Sequence, residues 1–396
     1  MNGFRLDPAT ARSALGGHAD TSAADSAVVD RYATVVWSHL VEPGDSVAGR
    51  IVASHGPLRG LEIVLAADST ASVTARELDE GRKRWMPRLD PLQIARSLAS
   101  AARASVAIIT RADSDWPGQL DDLGMHAPHC LWVRGDRGLL AQLRPSVAIV
   151  GARAATSYGD HVALELSADL AGGGIPVISG GAYGIDGAAH RAALGVGGRT
   201  VALLAGGVDR SYPAGHSGLI EGIAATGAVV SEVPCGAAPT KWRFLQRNRL
   251  IAALSDATIV VEAGWRSGSL NTAGHAASLS RRLGAVPGPV TSAASAGTHR
   301  LLREFDAACI TSAADVRELL GLDTIAATST GDRAAHTDDT TRVRDALSTR
   351  APREATDLAR RTGMSVDHVE AVLGLLQLEG AAVRDTTGWR SPTSRR

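Results

Sequence analysis

The stretch Val147–Arg153 reads Val-Ala-Ile-Val-Gly-Ala-Arg and joins an unbroken apolar run to a glycine turn and a cation. Unbroken apolar runs, rather than alternating ones, are typical of strands buried on both faces of a sheet. Similar runs end in small or polar turns at Val177–Gly181, Val201–Gly207, Val229–Glu232 and Ile259–Ala263. Helical stretches of about 12–15 residues separate them, which indicates parallel crossovers. The pattern predicts a doubly wound, mostly parallel α/β sheet over residues 105–322.

The chain before the sheet is interpreted as two parts. Residues 1–28 are rich in Ala, Ser and Asp and are expected to be loose. Residues 29–104 predict a small helical domain of SAM-like type, with short helices at Val29–Leu40, Asp45–Ser54 and Leu89–Ala104. The basic stretch around Arg82 and Lys83 is interpreted as a solvated helix face.

The chain after the sheet predicts a linker and a winged helix. Residues 323–340 are rich in Ala, Thr and Asp without an apolar period, as expected for a linker. Residues 341–396 predict helices at Val343–Leu347, Glu354–Arg361 and Val366–Leu378, followed by a hairpin. The third helix carries Asp367 and Glu370 but no Arg or Lys, which argues against strong phosphate or base contacts by this helix.

The composition excludes several classes of protein. Lys plus Arg and Asp plus Glu number 41 each, so no global field attracts nucleic acid and any anion site must be local. The three cysteines are far apart, which disfavours a disulfide framework or a structural zinc. The cluster of His126, His129 and Cys130 lacks a fourth ligand nearby, so no metal and no cofactor are expected. Without a signal peptide or an apolar span, the protein is expected to be cytoplasmic and not attached to a membrane.

Unusual loops follow the predicted strands, at the edge where open parallel sheets bind ligands. Gly151–Arg153 places a cation near a helix start, and the Ser179-Gly180-Gly181 turn could form an anion nest of backbone N–H groups. The turn Ser267-Gly268-Ser269 is similar to a phosphate loop in composition but lacks its Gly-Lys-Ser/Thr. Since the dinucleotide fingerprint is also missing, these loops favour a ligand with several phosphates over a nicotinamide cofactor.

The segment Lys241–Arg249 contains four cations and two aromatic rings. Cations hold phosphates and rings stack bases, so the composition suits a sequence-tolerant grip on single-stranded nucleic acid. The alternative for Arg247 and Arg249 is an internal ion pair, with Glu232 or Glu262, that holds the loops in place. Asp186 and His190, one helical turn apart, are interpreted as packing and capping groups rather than an acid–base pair.

Taken together, these motifs resemble the DNA-processing protein A family (DprA, also called Smf). The resemblance covers about residues 90–320. It rests on Val147–Arg153, Ser179–His190, Gly206–Pro213, Ser231–Pro234, Phe244–Leu254, Val261–Ala273, Ala285–Gly288 and Gly297–Leu302.

The resemblance implies a Rossmann-like core that binds single-stranded DNA, forms homodimers and helps to load the RecA recombinase during natural transformation. It implies a binding protein that is not an enzyme. The implied pocket uses the Arg of the first loop, the Ser-Gly turn, and a Lys and Phe ahead of Arg-Asn-Arg. The expected DNA-binding residues are Gly151, Arg153, Ser179, Gly180, Gly181, Lys241, Phe244, Arg247, Asn248, Arg249, Ser267, Gly268 and Ser269.

Three residues depart from the family pattern, and two other functions stay open. Ala152 replaces the usual Ser, Leu245 a common Pro, and Asn271 a usual Ile. One alternative is a nucleotide-processing enzyme of the related phosphoribohydrolase type, although the chain lacks the Pro-Gly-Gly-x-Gly-Thr loop of those enzymes. The other is an adaptor that acts through its winged helix.

Overall fold

The predicted sheet is present in the computed structural model, which describes residues 4–20, 22–322, 331–349, 351–378, 380–385 and 387–392. The described residues form two compact units that divide between Leu320 and Gly321. The first unit contains a nine-stranded sheet. Its strands are β1 (Val106–Thr110), β2 (Cys130–Gly135), β3 (Val147–Val150), β4 (Val177–Ser179), β5 (Thr200–Leu203), β6 (Ala228–Ser231), β7 (Ala257–Val260), β8 (Arg282–Ala285) and β9 (Ala308–Cys309).

The strands lie in the order β1-β2-β6-β5-β4-β3-β7-β8-β9. Strands β3 to β9 all run parallel to one another. Strands β1 and β2 form an antiparallel hairpin whose second strand pairs with β6. The prediction of a doubly wound, mostly parallel sheet is confirmed. Successive strands run from β3 outward on one side and from β7 outward on the other, so the order switches between these two strands.

Among the described residues, five α-helices precede the sheet and share a core with its antiparallel edge. They are α1 (Pro8–Leu15), α2 (Asp25–Leu40), α3 (Ser46–Ala66), α4 (Ala75–Trp85) and α5 (Pro91–Arg103). Trp37 and Trp85 of these helices lie in one buried cluster with Trp132 of β2. The helical region and the sheet therefore belong to the same compact unit.

The N-terminal segment corrects one expectation. Residues 1–28 were expected to be loose, but α1 occupies Pro8–Leu15 and α2 already begins at Asp25. The Asp7 carboxylate accepts a hydrogen bond from Thr10 N at 2.9 Å and so caps α1, and Leu15 is buried. The apolar face of this helix consists mostly of alanines, so the sequence showed no clear hydrophobic period by which to recognise it.

Seven more α-helices of the described chain cover the two faces of the sheet in the first unit. They are α6 (Ser157–Gly172), α7 (Ile185–Gly195), α8 (Ser217–Thr226), α9 (Lys241–Leu254), α10 (Ser269–Ser278), α11 (Ala296–Glu304) and α12 (Ala313–Leu320). Helix α9 carries the chain from β6 across to β7, past the strands between them. Each helix in the described part of the chain is too short or too polar to span a bilayer.

The second unit has the three helices and hairpin of the predicted winged helix. Its elements are α13 (Gly331–Ala346), α14 (Ala355–Thr362), α15 (Val366–Leu378), β10 (Val383–Asp385) and β11 (Gly388–Arg390). Part of the predicted linker, residues 323–330, lies outside the described residues. For the remainder, residues 331–340, the prediction of a linker is wrong because α13 begins at Gly331. Its polar sequence shows no apolar period before Val343, so the helix could not be recognised.

We predict that His190 of α7 makes the stability of the protein depend on pH. Its Nδ1–H donates to Thr200 Oγ1 at 2.7 Å, and burial lowers the pKa of His190 to about 3. In the unfolded chain the imidazole takes up a proton near pH 6.5, whereas the folded protein resists it. The contribution of His190 to the free energy of unfolding is therefore lost as the pH falls from about 6.5 towards 3. The loss between pH 7 and pH 5 is about 2 kcal/mol.

The variant His190→Asn, which keeps an N–H donor, should lose less stability than the wild type over that range in urea unfolding. His161→Asn, at an exposed site of α6, serves as the control and should follow the wild type. If His190→Asn and the wild type lose stability in parallel, His190 does not cause the pH dependence.

Candidate nucleic-acid interface

An open cavity lies at the switch in strand order, between the loops that follow β3 and β7. Its volume is about 440 Å³. Residues 150–154 and 266–269 form two of its walls, and one face of α9 forms a third. Loops diverge at this point of an open parallel sheet, which leaves room for a ligand. The cavity is therefore the candidate binding site.

Phe244, in the first turn of α9, presents its ring to this cavity. The Thr240 hydroxyl caps the helix by accepting a hydrogen bond from Arg243 N at 3.2 Å. The guanidinium carbon of Arg153 lies 4.7 Å from the centre of the Phe244 ring. The ring of Tyr212 lies 5.7 Å away, centre to centre. A cation and two rings thus meet at the mouth of the cavity, where charge and stacking can act on one ligand.

Arg249 forms an internal ion pair and does not line the cavity. Its Nη1 and Nη2 donate to the two carboxylate oxygens of Glu232 at 3.0 and 2.6 Å. Both residues are buried, at 2% and 9% exposure. The bidentate geometry satisfies both charges in a place that water does not reach. Of the two interpretations of Arg249, the ion pair with Glu232 is the one that the structure contains.

Arg247 lines the cavity and is also held by a hydrogen bond to the sheet. Its Nη1 donates to the Leu203 carbonyl oxygen, at the end of β5, at 2.7 Å. Burial lowers the pKa of Arg247 to about 10, against the opposing effect of Asp186, so the guanidinium stays charged at neutral pH. Gly180 leaves room for the guanidinium in this position, because a methyl group there would overlap it. Arg247 thus connects the wall of the cavity to the core of the sheet.

The anion nest predicted at Ser179–Gly181 is present, but a carboxylate of the protein rather than a ligand occupies it. Asp186 Oδ2 accepts hydrogen bonds from Gly180 N at 3.1 Å and from Ala182 N at 3.4 Å. The Ser179 hydroxyl donates to the Ile149 carbonyl oxygen at 2.6 Å and is fully buried. Burial raises the pKa of Asp186, whereas Arg247 and the two N–H groups lower it. Asp186 thus holds the turn before α7 and does not cap that helix, whereas His190 packs in the interior as the sequence predicts.

The turn Ser267–Ser269 lines the opposite wall, next to Asn248. The Ser267 and Ser269 hydroxyl oxygens lie 2.8 Å apart and share a hydrogen bond. Asn248 Nδ2 donates to the Gly268 carbonyl oxygen and to Asn271 Oδ1, each at 3.2 Å. The departure at residue 271 therefore supplies a polar contact that helps to hold α9 against the turn.

The structure brings most of the predicted residues together at this cavity. Those that line it are Gly151, Arg153, Phe244, Arg247, Asn248, Ser267, Gly268 and Ser269. Those that do not line it are Ser179, Gly180, Gly181, Lys241 and Arg249. Lys241 lies exposed at the first position of α9. Sequence reasoning missed Arg266 and Tyr212, although each is a cation or ring in a loop already singled out.

The candidate metal cluster separates into unrelated contacts. His126 Nδ1 lies 2.9 Å from the Gly44 carbonyl oxygen, and the ring of His129 stacks on Trp37 at 5.6 Å. Cys130 is buried in β2. Within the part of the chain that the structure describes, no group of three or more His, Cys, Asp or Glu side chains is placed to hold a metal.

Comparisons with known proteins agree with this architecture. The family model of DNA recombination-mediator protein A matches residues 107–321, more than half of the chain. The chain belongs to this family. A second model, the DprA winged helix domain, matches residues 327–386. The recombination-mediator family model thus covers nearly all of the sheet, and the winged-helix model covers most of the second unit.

Individual relatives of the recombination-mediator family extend the comparison. A putative DNA processing protein DprA of Mycobacterium tuberculosis is 51% identical over 224 residues, which are 54% of this chain and 57% of the relative. The chain thus spans little more than half the length of that relative. The structure of DprA from Streptococcus pneumoniae has a TM-score of 0.59 at 28% identity and covers 72% of this chain and 96% of that one.

A third relative has been described for its single-stranded DNA binding mode. It is the DNA processing protein A of Helicobacter pylori, with a TM-score of 0.50 and 33% identity. The match covers 55% of this chain and 96% of that chain.

We predict that the Arg249–Glu232 ion pair is essential for the stability of the protein. Glu232→Ala leaves a buried guanidinium without its partner and should lower the free energy of unfolding by about 3–5 kcal/mol. Glu62→Ala removes one partner of an exposed pair with Arg59 and should change it by less than about 1 kcal/mol. Urea unfolding measures both. Equal effects of the two variants would contradict the structural role of the buried pair.

Proposed function

We propose that this chain binds single-stranded DNA in the cavity at the switch point. The observation that carries the proposal is the pairing of the Phe244 ring with the Arg153 guanidinium at the open mouth. A base can stack on an aromatic ring, and a guanidinium can contact the adjacent phosphate. Every base has a flat face, so such a site accepts strands of different sequence.

The local charge supports this ligand although the chain as a whole is neutral. Three guanidinium groups line the cavity, those of Arg153, Arg247 and Arg266. The carboxylate of Asp186 also lines it, but its Oδ2 is held by backbone N–H groups. The cavity therefore favours an anion, and its affinity for a strand should fall as salt rises. Exposed Lys241 would contact phosphates just outside the mouth.

The proposed activity is binding rather than catalysis. Buried carboxylates are the usual candidates for acid–base chemistry in such a site, but here two of them serve the fold. Asp186 holds the turn after β4, and Glu262 Oε2 and Oε1 accept from Thr156 N and Oγ1 at 2.9 and 2.6 Å. Both are thus engaged in positioning the loops that form the cavity.

The biological setting is proposed by analogy with relatives. A relative from Helicobacter pylori is described for its single-stranded DNA binding mode. The family's name describes recombination mediation, which supports delivery of the strand to a RecA recombinase. We propose that the chain acts as a homodimer in the cytoplasm, protecting incoming strands in natural transformation and helping to load RecA on them.

Replacing the stacking ring tests the site. Phe244→Ala should weaken binding of oligo-dT by about 1–3 kcal/mol, or roughly 5- to 150-fold, because a stacked base loses its partner. Phe244→Tyr keeps a ring and should bind like the wild type. Arg153→Ala should also weaken binding, whereas Arg59→Ala, the same charge change on α3, should not. Fluorescence anisotropy measures all four, and wild-type affinity of Phe244→Ala would exclude the cavity.

Removing the second unit distinguishes the cavity from the winged helix. A chain that ends at Leu320 retains the first compact unit and every residue that lines the cavity. Its affinity for oligo-dT should stay within about twofold of that of the full chain, because the site lies within one unit. Loss of all binding would assign the DNA contacts to the winged helix instead.

A further inference from the structure

Two exposed tyrosines lie beside the cavity, and one of them, Tyr183, has no role in the site described above. Tyr212 is 50% exposed and contacts Phe244. Tyr183 is 49% exposed and directly follows Ala182, which lines the cavity. They lie on the loops after β5 and β4, which are neighbouring strands on one side of the switch point. The cavity therefore continues along the sheet edge into a surface with large exposed rings.

The Tyr183 ring is held in place from one side. It packs against the His216 ring at 4.7 Å between centres, with 71° between the ring planes. His216 is itself buried, and its Nδ1 lies 3.1 Å from the Gly181 carbonyl oxygen. An edge-to-face contact leaves at least one face of the Tyr183 ring uncovered by His216. A ring that is oriented in advance can stack a base with little loss of side-chain freedom.

A cation lies near the His216 ring of this pair. Arg191 is exposed on α7, one turn after Gly187. The guanidinium of Arg191 and the ring of His216 both approach Gly187, where there is no side chain to separate them. Arg191 thus brings a guanidinium close to the His216 ring, on which Tyr183 packs.

We propose that Tyr183, His216 and Arg191 form a second nucleotide subsite, which receives the single strand as it leaves the cavity past Tyr212. The inference rests on the proposed function and adds the path that the DNA strand takes over the protein surface. A base stacks on Tyr183 and a phosphate contacts Arg191. The strand then follows the sheet edge from the β3–β7 switch point across the loops after β4 and β5, rather than turning towards β8.

The subsite predicts that the effect of Tyr183 depends on the length of the strand. Anisotropy with the full chain would compare oligo-dT of about 5 nucleotides, which fills the cavity alone, with oligo-dT of about 20 nucleotides, which reaches both places. Tyr183→Ala and Tyr183→Leu should weaken binding of the longer strand by about tenfold and leave the shorter one unchanged. Tyr183→Phe should match the wild type, and thermal unfolding confirms that each variant is folded.

The outcomes separate this inference from the proposed function. Phe244→Ala should weaken binding of both lengths, whereas Tyr183→Ala affects only the longer one. Unchanged binding of both lengths by Tyr183→Ala, or equal weakening of both, overturns the second subsite while the cavity stands. If the wild type binds neither strand, the proposed function fails and the subsite fails with it.

The phosphate contact has its own measurement. For the longer strand, Arg191→Gln should make the negative slope of log affinity against log salt shallower by about 0.7, the value for one phosphate of a single strand. Arg59→Gln on α3 removes the same charge elsewhere and should leave the slope unchanged. An unchanged slope for Arg191→Gln overturns the role of Arg191.

Discussion

The buried ion pair between Arg249 of α9 and Glu232 after β6 is the contact on which the site depends. A buried charge is strongly destabilising when its partner is removed. The Arg249–Glu232 pair therefore fixes the position of α9. Arg247 adds a second attachment, to the Leu203 carbonyl oxygen at the end of β5. Together they hold the helix over the carboxyl ends of two strands and direct Phe244 towards the loop after β3.

The helical region strengthens this arrangement from the other side. Arg243 donates to the two carboxylate oxygens of Glu42 at 3.0 and 2.9 Å, and Arg88 also contacts Glu42. Because Glu42 follows α2, the start of α9 is tied to the N-terminal helices as well as to the sheet. The basic segment Lys241–Arg249 is therefore mostly a structural element. Its arginines at 243, 247 and 249 are engaged within the protein, and Phe244 presents its ring to the cavity.

Charge balance explains how a neutral chain presents a cationic cavity. The carboxylates of Glu232, Asp186 and Glu262 near the site are engaged within the protein. Glu232 pairs with Arg249, Asp186 accepts from backbone N–H groups, and Glu262 accepts from Thr156. Arg153 and Arg266 extend from loops and are exposed. Anions are thus attracted locally, at the end of the sheet where the strand order switches, without any excess of positive charge over the whole surface.

The sequence by itself determined the doubly wound sheet, the winged helix and the segments that surround the cavity, because apolar runs and glycine turns report burial and chain reversal directly. It could not reveal α1 or the first turns of α13, whose alanine-rich and polar sequences carry no apolar period. Only the tertiary structure decided which side chains face the cavity. Asp186 occupies the Ser179–Gly181 nest and Arg249 turns to Glu232, since the partner of a buried charge is set by distances between segments far apart in the chain.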